Sequence, residues 1–291
     1  VKISDYLRLV KFSHTIFALP FALVAVVFIY RDNMSVFEPI DLIWIVLAFT
    51  GLRSFSMALN RIVDAGFDAA NPRTAKREIP AGILSKLNVW IFSFIALLVV
   101  WVSAWLLNPL AFYLSFPAIA LLSGYSYAKR FTWAVHLWLG LAIGLAPIGA
   151  YIALTSSLPF TAWLLYGILA TYIAGFDILY SLQDREFDKK AGLYSIPATL
   201  GINAAIWISK ILHAITIAGF WTLWKTAEMG WVYGAGSLVL TALVIAEHVS
   251  IGWGKNVKLN NVPAAFINYN SAISILFFGF VLADCLWTMF G

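Results

Sequence analysis

Of the 291 residues, 62% are hydrophobic and 11% charged, with a mean hydropathy of +0.87; such a chain cannot cover a water-soluble domain with polar side chains. The formal charge of +5 is therefore read as an orientation signal for a membrane and not as a nucleic-acid footprint, and no nucleic-acid partner is expected. The one cysteine, Cys285, excludes disulfides, thiolate metal clusters and CxxC redox chemistry, and is expected to pack in the core.

A bilayer core about 30 Å thick takes roughly 20 mainly apolar residues per crossing helix. Taken in order, such runs fall at 16–30, 42–58, 89–107, 110–127, 133–154, 163–180, 204–224, 231–251 and 267–290. They predict an all-α integral membrane protein of nine transmembrane helices in a single domain, 1–291, surrounded by membrane lipid. The first run ends in Arg31 and Asp32 without a small-residue cleavage site, so it is expected to be a retained helix rather than a signal peptide. Connectors at 108–109, 156–159 and 228–230 are short and turn-like, whereas those after the second, sixth and eighth runs are longer and charged. With nine crossings, every Lys and Arg except Arg31 and Lys225 falls on one side. The positive-inside rule then puts the amino terminus in the cytoplasm and the carboxyl terminus outside the cytoplasmic (inner) membrane, with Cys285 toward the outer face.

The chemistry collects at the ends of two of these runs. Asn60, Asp64 and Asp68 recur every fourth residue after the second, and Asp177, Tyr180, Asp184 and Asp188 make a second stripe at the end of the sixth. The two runs are four crossings apart, so both stripes emerge on one face. Charged helix ends near a headgroup layer are ordinary, but Asp177 is preceded by 171–176 and followed by 178–180, inside apolar helix, where an unpaired carboxylate costs about 3 kcal/mol. Facing acidic stripes repel unless a cation lies between them. Oxygen-only ligands with no His or Cys cluster nearby suit magnesium on a phosphorylated substrate. A basic loop with Arg73 and Arg77 follows the first stripe, and Tyr125, Lys129 and Arg130 close the fourth run on the same face.

These residues resemble the UbiA-type family of membrane prenyltransferases. The family's N-x-x-x-D-x-x-x-D motif corresponds to Asn60, Asp64 and Asp68, and its R-T-x-x-R-x-x-P-x-G loop to Arg73, Thr74, Arg77, Pro80 and Gly82. Its Y-x-x-x-K element corresponds to Tyr125 and Lys129. The second motif, D-x-x-Y-x-x-x-D-x-x-x-D before G-x-x-S, corresponds to Asp177, Tyr180, Asp184, Asp188, Gly192 and Ser195. One departure is Arg61, where many members carry a further aspartate. The second motif, with Tyr180 and Gln183 before Asp184, is most similar to the 4-hydroxybenzoate branch; a naphthoate-type acceptor of menaquinone biosynthesis is the alternative.

The resemblance implies helices around a central cavity and an active site at the cytoplasmic face. A polyprenyl diphosphate would be held through Mg2+ on Asp64, Asp68, Asp184 and Asp188, with Lys129, Arg130, Arg73 and Arg77 around the diphosphate. Asp64, Asp68, Asp177, Asp184, Lys129 and Tyr125 are expected to be catalytic, with Asn60, Tyr180 and Ser195 contacting substrate. The acceptor is expected to be a small aromatic acid. Arg53, seven residues before Asn60 on the same helix face, is expected to grip a diphosphate oxygen or an acceptor carboxylate by paired hydrogen bonds. Asn270 reads as an interhelical hydrogen bond. His14, His136, His213 and His248 share no spacing and are assigned no role. An ion-coupled transporter is the alternative of another class, but it would gather charge at the bilayer midplane, not beside basic loops. A lipid phosphotransferase lacks support because its D-G-x-x-A-R signature is absent.

Overall fold

The computed structural model describes residues 2–11, 15, 17–33 and 38–290. His14 and Ile16 lie outside the described residues. Among those described there is no strand. The helices are α1 (Ile3–Leu9), α2 (Leu19–Asp32), α3 (Pro39–Val63), α4 (Ala65–Ala70), α5 (Lys86–Leu107), α6 (Pro109–Ala128), α7 (Val135–Thr155), α8 (Phe160–Ser181), α9 (Arg185–Lys190), α10 (Ile196–Leu200), α11 (Ile202–Thr226), α12 (Trp231–Ile251) and α13 (Val262–Phe290).

Eight helical segments among the described residues are long and apolar enough to cross a membrane. The first expected span appears as α2, whose 14 residues extend only about 21 Å. Asn108 shows how the sequence sets an element boundary: its side chain accepts from Ala111 N at 2.8 Å to cap α6 and donates to the carbonyls of Ile152 and Ala153 at 2.8 and 2.7 Å, tying the α5–α6 turn to α7.

α8 is the central post. It packs against α7, α11, α13 and α2, and a circuit α2–α7–α8–α11–α12–α13 closes on itself. α3, α5 and α6 pack together and join the circuit mainly through α6 on α7. In lipid no hydrophobic force drives one helix onto another, so close approach depends on small residues. Gly140 on α7 is one: a Cβ there would stand 2.3 Å from the Ala170 carbonyl oxygen of α8. The outward surface carries exposed Trp90, Phe94, Trp105, Trp163, Trp207 and Leu238, side chains suited to lipid. Between the two groups of helices, and lined mainly from α2, α3, α5, α6, α7 and α8, lies an apolar cavity of about 800 Å³.

Candidate active site

α3 ends at Val63, and Asp64 (φ −90°, ψ 3°) turns the chain into α4. The i to i−4 bonds survive that turn, Asp64 N to Asn60 O at 2.9 Å and Asp68 N to Asp64 O at 2.8 Å, so the first stripe stays on one side. Asn60 Nδ2 donates to Asp64 Oδ2 at 3.0 Å. The following loop folds back through Thr74 Oγ1, which donates to the Asp68 carbonyl at 3.0 Å, and through Gly82 at φ +71°. The second stripe bends too: α8 stops at Ser181, Asp184 sits in a 3₁₀ turn and Asp188 in α9.

The two stripes converge on a polar pocket of about 150 Å³, lined by Asn60, Asp64, Asp68, Tyr125, Lys129, Asp177, Tyr180, Asp184 and Asp188 with Arg73 and Arg77. Each outer carboxylate faces a different cation. Arg130 Nη2 lies 3.0 Å from Asp64, Arg77 Nη1 2.6 Å from Asp68, and Lys129 Nζ 3.3 Å from Asp188. Arg73 grips Asp184 with two parallel bonds of 2.8 and 2.5 Å, and Asn71 Nδ2 donates to the same carboxylate at 3.3 Å. The acidic stripes, expected to need a metal cation between them, thus have their outer carboxylates paired with the protein's own guanidinium and ammonium groups around the pocket. Among the described residues no group of three His, Cys, Asp or Glu stands close enough to hold a metal. Burial alone would lower Lys129, but Asp188, Asp184 and Asp177 hold it above its ordinary value. Burial raises Asp64 above the usual carboxylate range, with Asp68 adding and Arg130 opposing.

A hard divalent cation fits this donor set. The carboxylate oxygens are its preferred ligands, and Asp68 Oδ2 is buried without a hydrogen-bond partner, an expensive condition that a cation would relieve.

The pocket and the apolar cavity share Asn60, Arg77, Tyr125, Asp177 and Tyr180. Tyr180 stacks under Arg73, 5.6 Å from guanidinium carbon to ring centre. Arg53 lines the apolar cavity and not the polar pocket. Arg130 does not line the pocket; it touches pocket residues from behind, through Asp64, the Ser126 carbonyl and the Phe67 ring. Ser195 lies outside both cavities: it is fully buried and its hydroxyl caps α10 by accepting from Ala198 N at 3.3 Å, because the loop after α9 turns this side chain onto its own helix start.

Sequence reasoning missed His136, whose Nδ1 is 2.8 Å from Asp177 Oδ2, and Asn71. It also missed Lys11 and Arg61, which line the apolar cavity. Burial, with Arg61, Arg77 and Arg73 adding, pushes Lys11 down to about 8. Arg61 stood out as a departure from a motif, and Asn71 by its place two residues before Arg73; nothing in the spacing of His136 marked it.

A model of the UbiA prenyltransferase family matches residues 18–271. The chain belongs to the UbiA prenyltransferase family. It is an enzyme of prenyl transfer. Among its relatives are 4-hydroxybenzoate octaprenyltransferases of Vibrio campbellii, 30% identical over 83% of this chain and 84% of that one, and of Tolumonas auensis, 29% identical over 82% and 84%. Its fold matches the apo structure of a UbiA homolog from Aeropyrum pernix K1 with a TM-score of 0.83, at 32% identity over 94% of this chain and 98% of that one. A UbiA homolog from Archaeoglobus fulgidus bound to GPP and Mg2+ has the same fold, with a TM-score of 0.75 at 23% identity over 97% and 99%.

Proposed function

We propose that this UbiA-family enzyme transfers a polyprenyl group from an allylic polyprenyl diphosphate to a small aromatic acid of the 4-hydroxybenzoate type, with magnesium, in quinone biosynthesis. The observation that carries this reading is the junction: a pocket rich in carboxylates and cations opens onto an apolar cavity of about 800 Å³. A diphosphate suits the first and an isoprenoid chain the second. A relative named for 4-hydroxybenzoate and a neighbouring structure bound to GPP and Mg2+ support the two substrates.

Asp64, Asp68, Asp184 and Asp188 would hold the metal, which when bound supplies Lewis-acid neutralisation of the leaving diphosphate. Arg73, Arg77 and Lys129 are placed to exchange their carboxylate partners for phosphate oxygens, while Arg130 keeps Asp64 in position. Charge collects on the diphosphate as its carbon–oxygen bond breaks, and groups already aimed at that charge lower the barrier. Tyr125 and Tyr180 line both cavities at the junction, where aromatic rings would steady an allylic cation. Asp177 faces the acceptor.

Purified protein incubated with geranyl diphosphate, magnesium and a panel of hydroxybenzoates and hydroxynaphthoates is expected to add one geranyl group to a hydroxybenzoate, as read by mass. Products confined to the naphthoates overturn the acceptor assignment; donor consumption with no aromatic product overturns the reaction.

The same reading has α2 completing nine crossings, with the amino terminus and the site at the cytoplasmic face. Reporter fusions at the two termini are expected on opposite sides. Both on one side would remove the ninth crossing.

A further inference from the structure

Asp177 differs from the other pocket carboxylates in its partner. Asp64, Asp68, Asp184 and Asp188 each face an arginine or lysine, whereas Asp177 Oδ2 lies 2.8 Å from His136 Nδ1. Two bare lone pairs do not approach so closely, so an ionised Asp177 requires the proton on His136 Nδ1. The Asp177 side chain is 18% exposed and that of His136 2%; the imidazole stands behind the carboxylate. Of the two, Asp177 alone lines both the polar pocket and the apolar cavity. His136 lies at the start of α7, and its Nε2 is buried without a hydrogen-bond partner.

Joining a prenyl carbon to an aromatic ring releases a proton. The donor's carbon–oxygen bond breaks and its electron pair leaves on the diphosphate, a ring π pair forms the new carbon–carbon bond, and the hydrogen on that ring carbon must depart for aromaticity to return. A guanidinium or ammonium group beside a carboxylate engages its oxygens with N–H bonds and opposes the arrival of a proton there. Among the described residues at the pocket, Asp177 is the carboxylate without such a clamp.

We propose that Asp177 takes this ring proton and that His136 is the positioning residue which, through the Nδ1–H···Oδ2 bond, aims the other Asp177 oxygen at the reacting carbon. This rests on the aromatic-acceptor reading above and deepens it. The proton passes from ring carbon to Asp177 Oδ1, the carbon–hydrogen electron pair returns to the ring, and the proton leaves to water through the polar pocket once diphosphate departs.

The test uses Asp177→Asn, His136→Ala and His136→Gln with an acceptor carrying deuterium at the substituted ring carbon. Wild-type enzyme should show no primary isotope effect, because proton loss from the cationic ring is fast. Asp177→Asn should lower kcat by about a hundredfold or more and expose a primary isotope effect. His136→Ala should do the same to a smaller degree, up to about a hundredfold, with the donor KM unchanged. His136→Gln should recover part of the loss, since its amide can donate the same hydrogen bond. Wild-type turnover in this assay reports on the function itself, and the variants, each compared with it, report on the pair. Variants that turn over as wild type, or slow ones without an isotope effect, overturn the assignment while leaving prenyl transfer standing.

Discussion

Asp184→Ala is expected to reduce prenyl transfer by about a thousandfold, the upper end of the loss when one preorganised electrostatic group is removed from a charge-stabilising site. Asp184 sits in a short 3₁₀ turn between α8 and α9, where a change of backbone direction lets it meet Arg73 and Asn71 across the pocket. Its carboxylate receives both arms of Arg73 and the amide of Asn71. Deleting it removes a candidate metal ligand and also frees the guanidinium that is to meet the diphosphate, so both halves of the clamp suffer. The fold should tolerate the change, because the side chain belongs to a polar pocket and makes no part of the apolar core. Asp184→Asn keeps the shape and the hydrogen-bond reach while removing the charge, and separates the two effects. It should remain slow and require more magnesium for half-maximal rate. Turnover measured across a magnesium titration, beside a thermal unfolding curve in detergent, checks both statements. An asparagine variant that reaches wild-type turnover at ordinary magnesium would take Asp184 out of the metal site.

Much of this architecture could be read directly because lipid imposes one strict rule, that every backbone group in the core be satisfied within a helix. Run 231–251 became α12 (Trp231–Ile251) without change, and Asn270 makes the expected interhelical bond, to Glu247 of α12 at 3.2 Å. Cys285 is buried, as packing required. The carboxylate stripes were visible because helical spacing is a local property; their pairing with Arg73, Arg77, Lys129 and Arg130 was not, since it depends on where a loop and two helix ends meet. The buried His213–His248 contact at 3.0 Å and the His136–Asp177 contact escaped for the same reason. Each joins residues dozens of positions apart, and a lone histidine on an apolar helix carries no periodic mark. Ser195 shows the opposite case: a serine before Ile196–Leu200 also has the form of a helix cap, and in this structure its hydroxyl accepts from Ala198 N.

Arg53→Ala is expected to raise the acceptor's KM about a hundredfold while leaving the donor's nearly unchanged. A charged side chain within an apolar helix is costly and marks a functional position unless paired, and Arg53 has no ion pair among the described residues, with its Nε buried and unpartnered. It lines the apolar cavity and stands apart from the carboxylate pocket where the diphosphate belongs. An acceptor carboxylate reaching this guanidinium would gain two parallel bonds in a site with little water. Removing one partner of such a pair typically costs about 3 kcal/mol or more, roughly a hundredfold in affinity. Arg53→Lys should recover only part of that, because an ammonium offers a point charge and no planar fork. The acceptor supplies the complementary deletion: its methyl ester lacks the charge, so wild type and Arg53→Ala should handle the ester alike while differing on the acid. Steady-state constants for acid and ester with both proteins give the full cycle. A rise in the donor's KM instead, with the acid and ester equally affected, would move Arg53 into the diphosphate clamp and remove its support for a carboxylate-bearing acceptor.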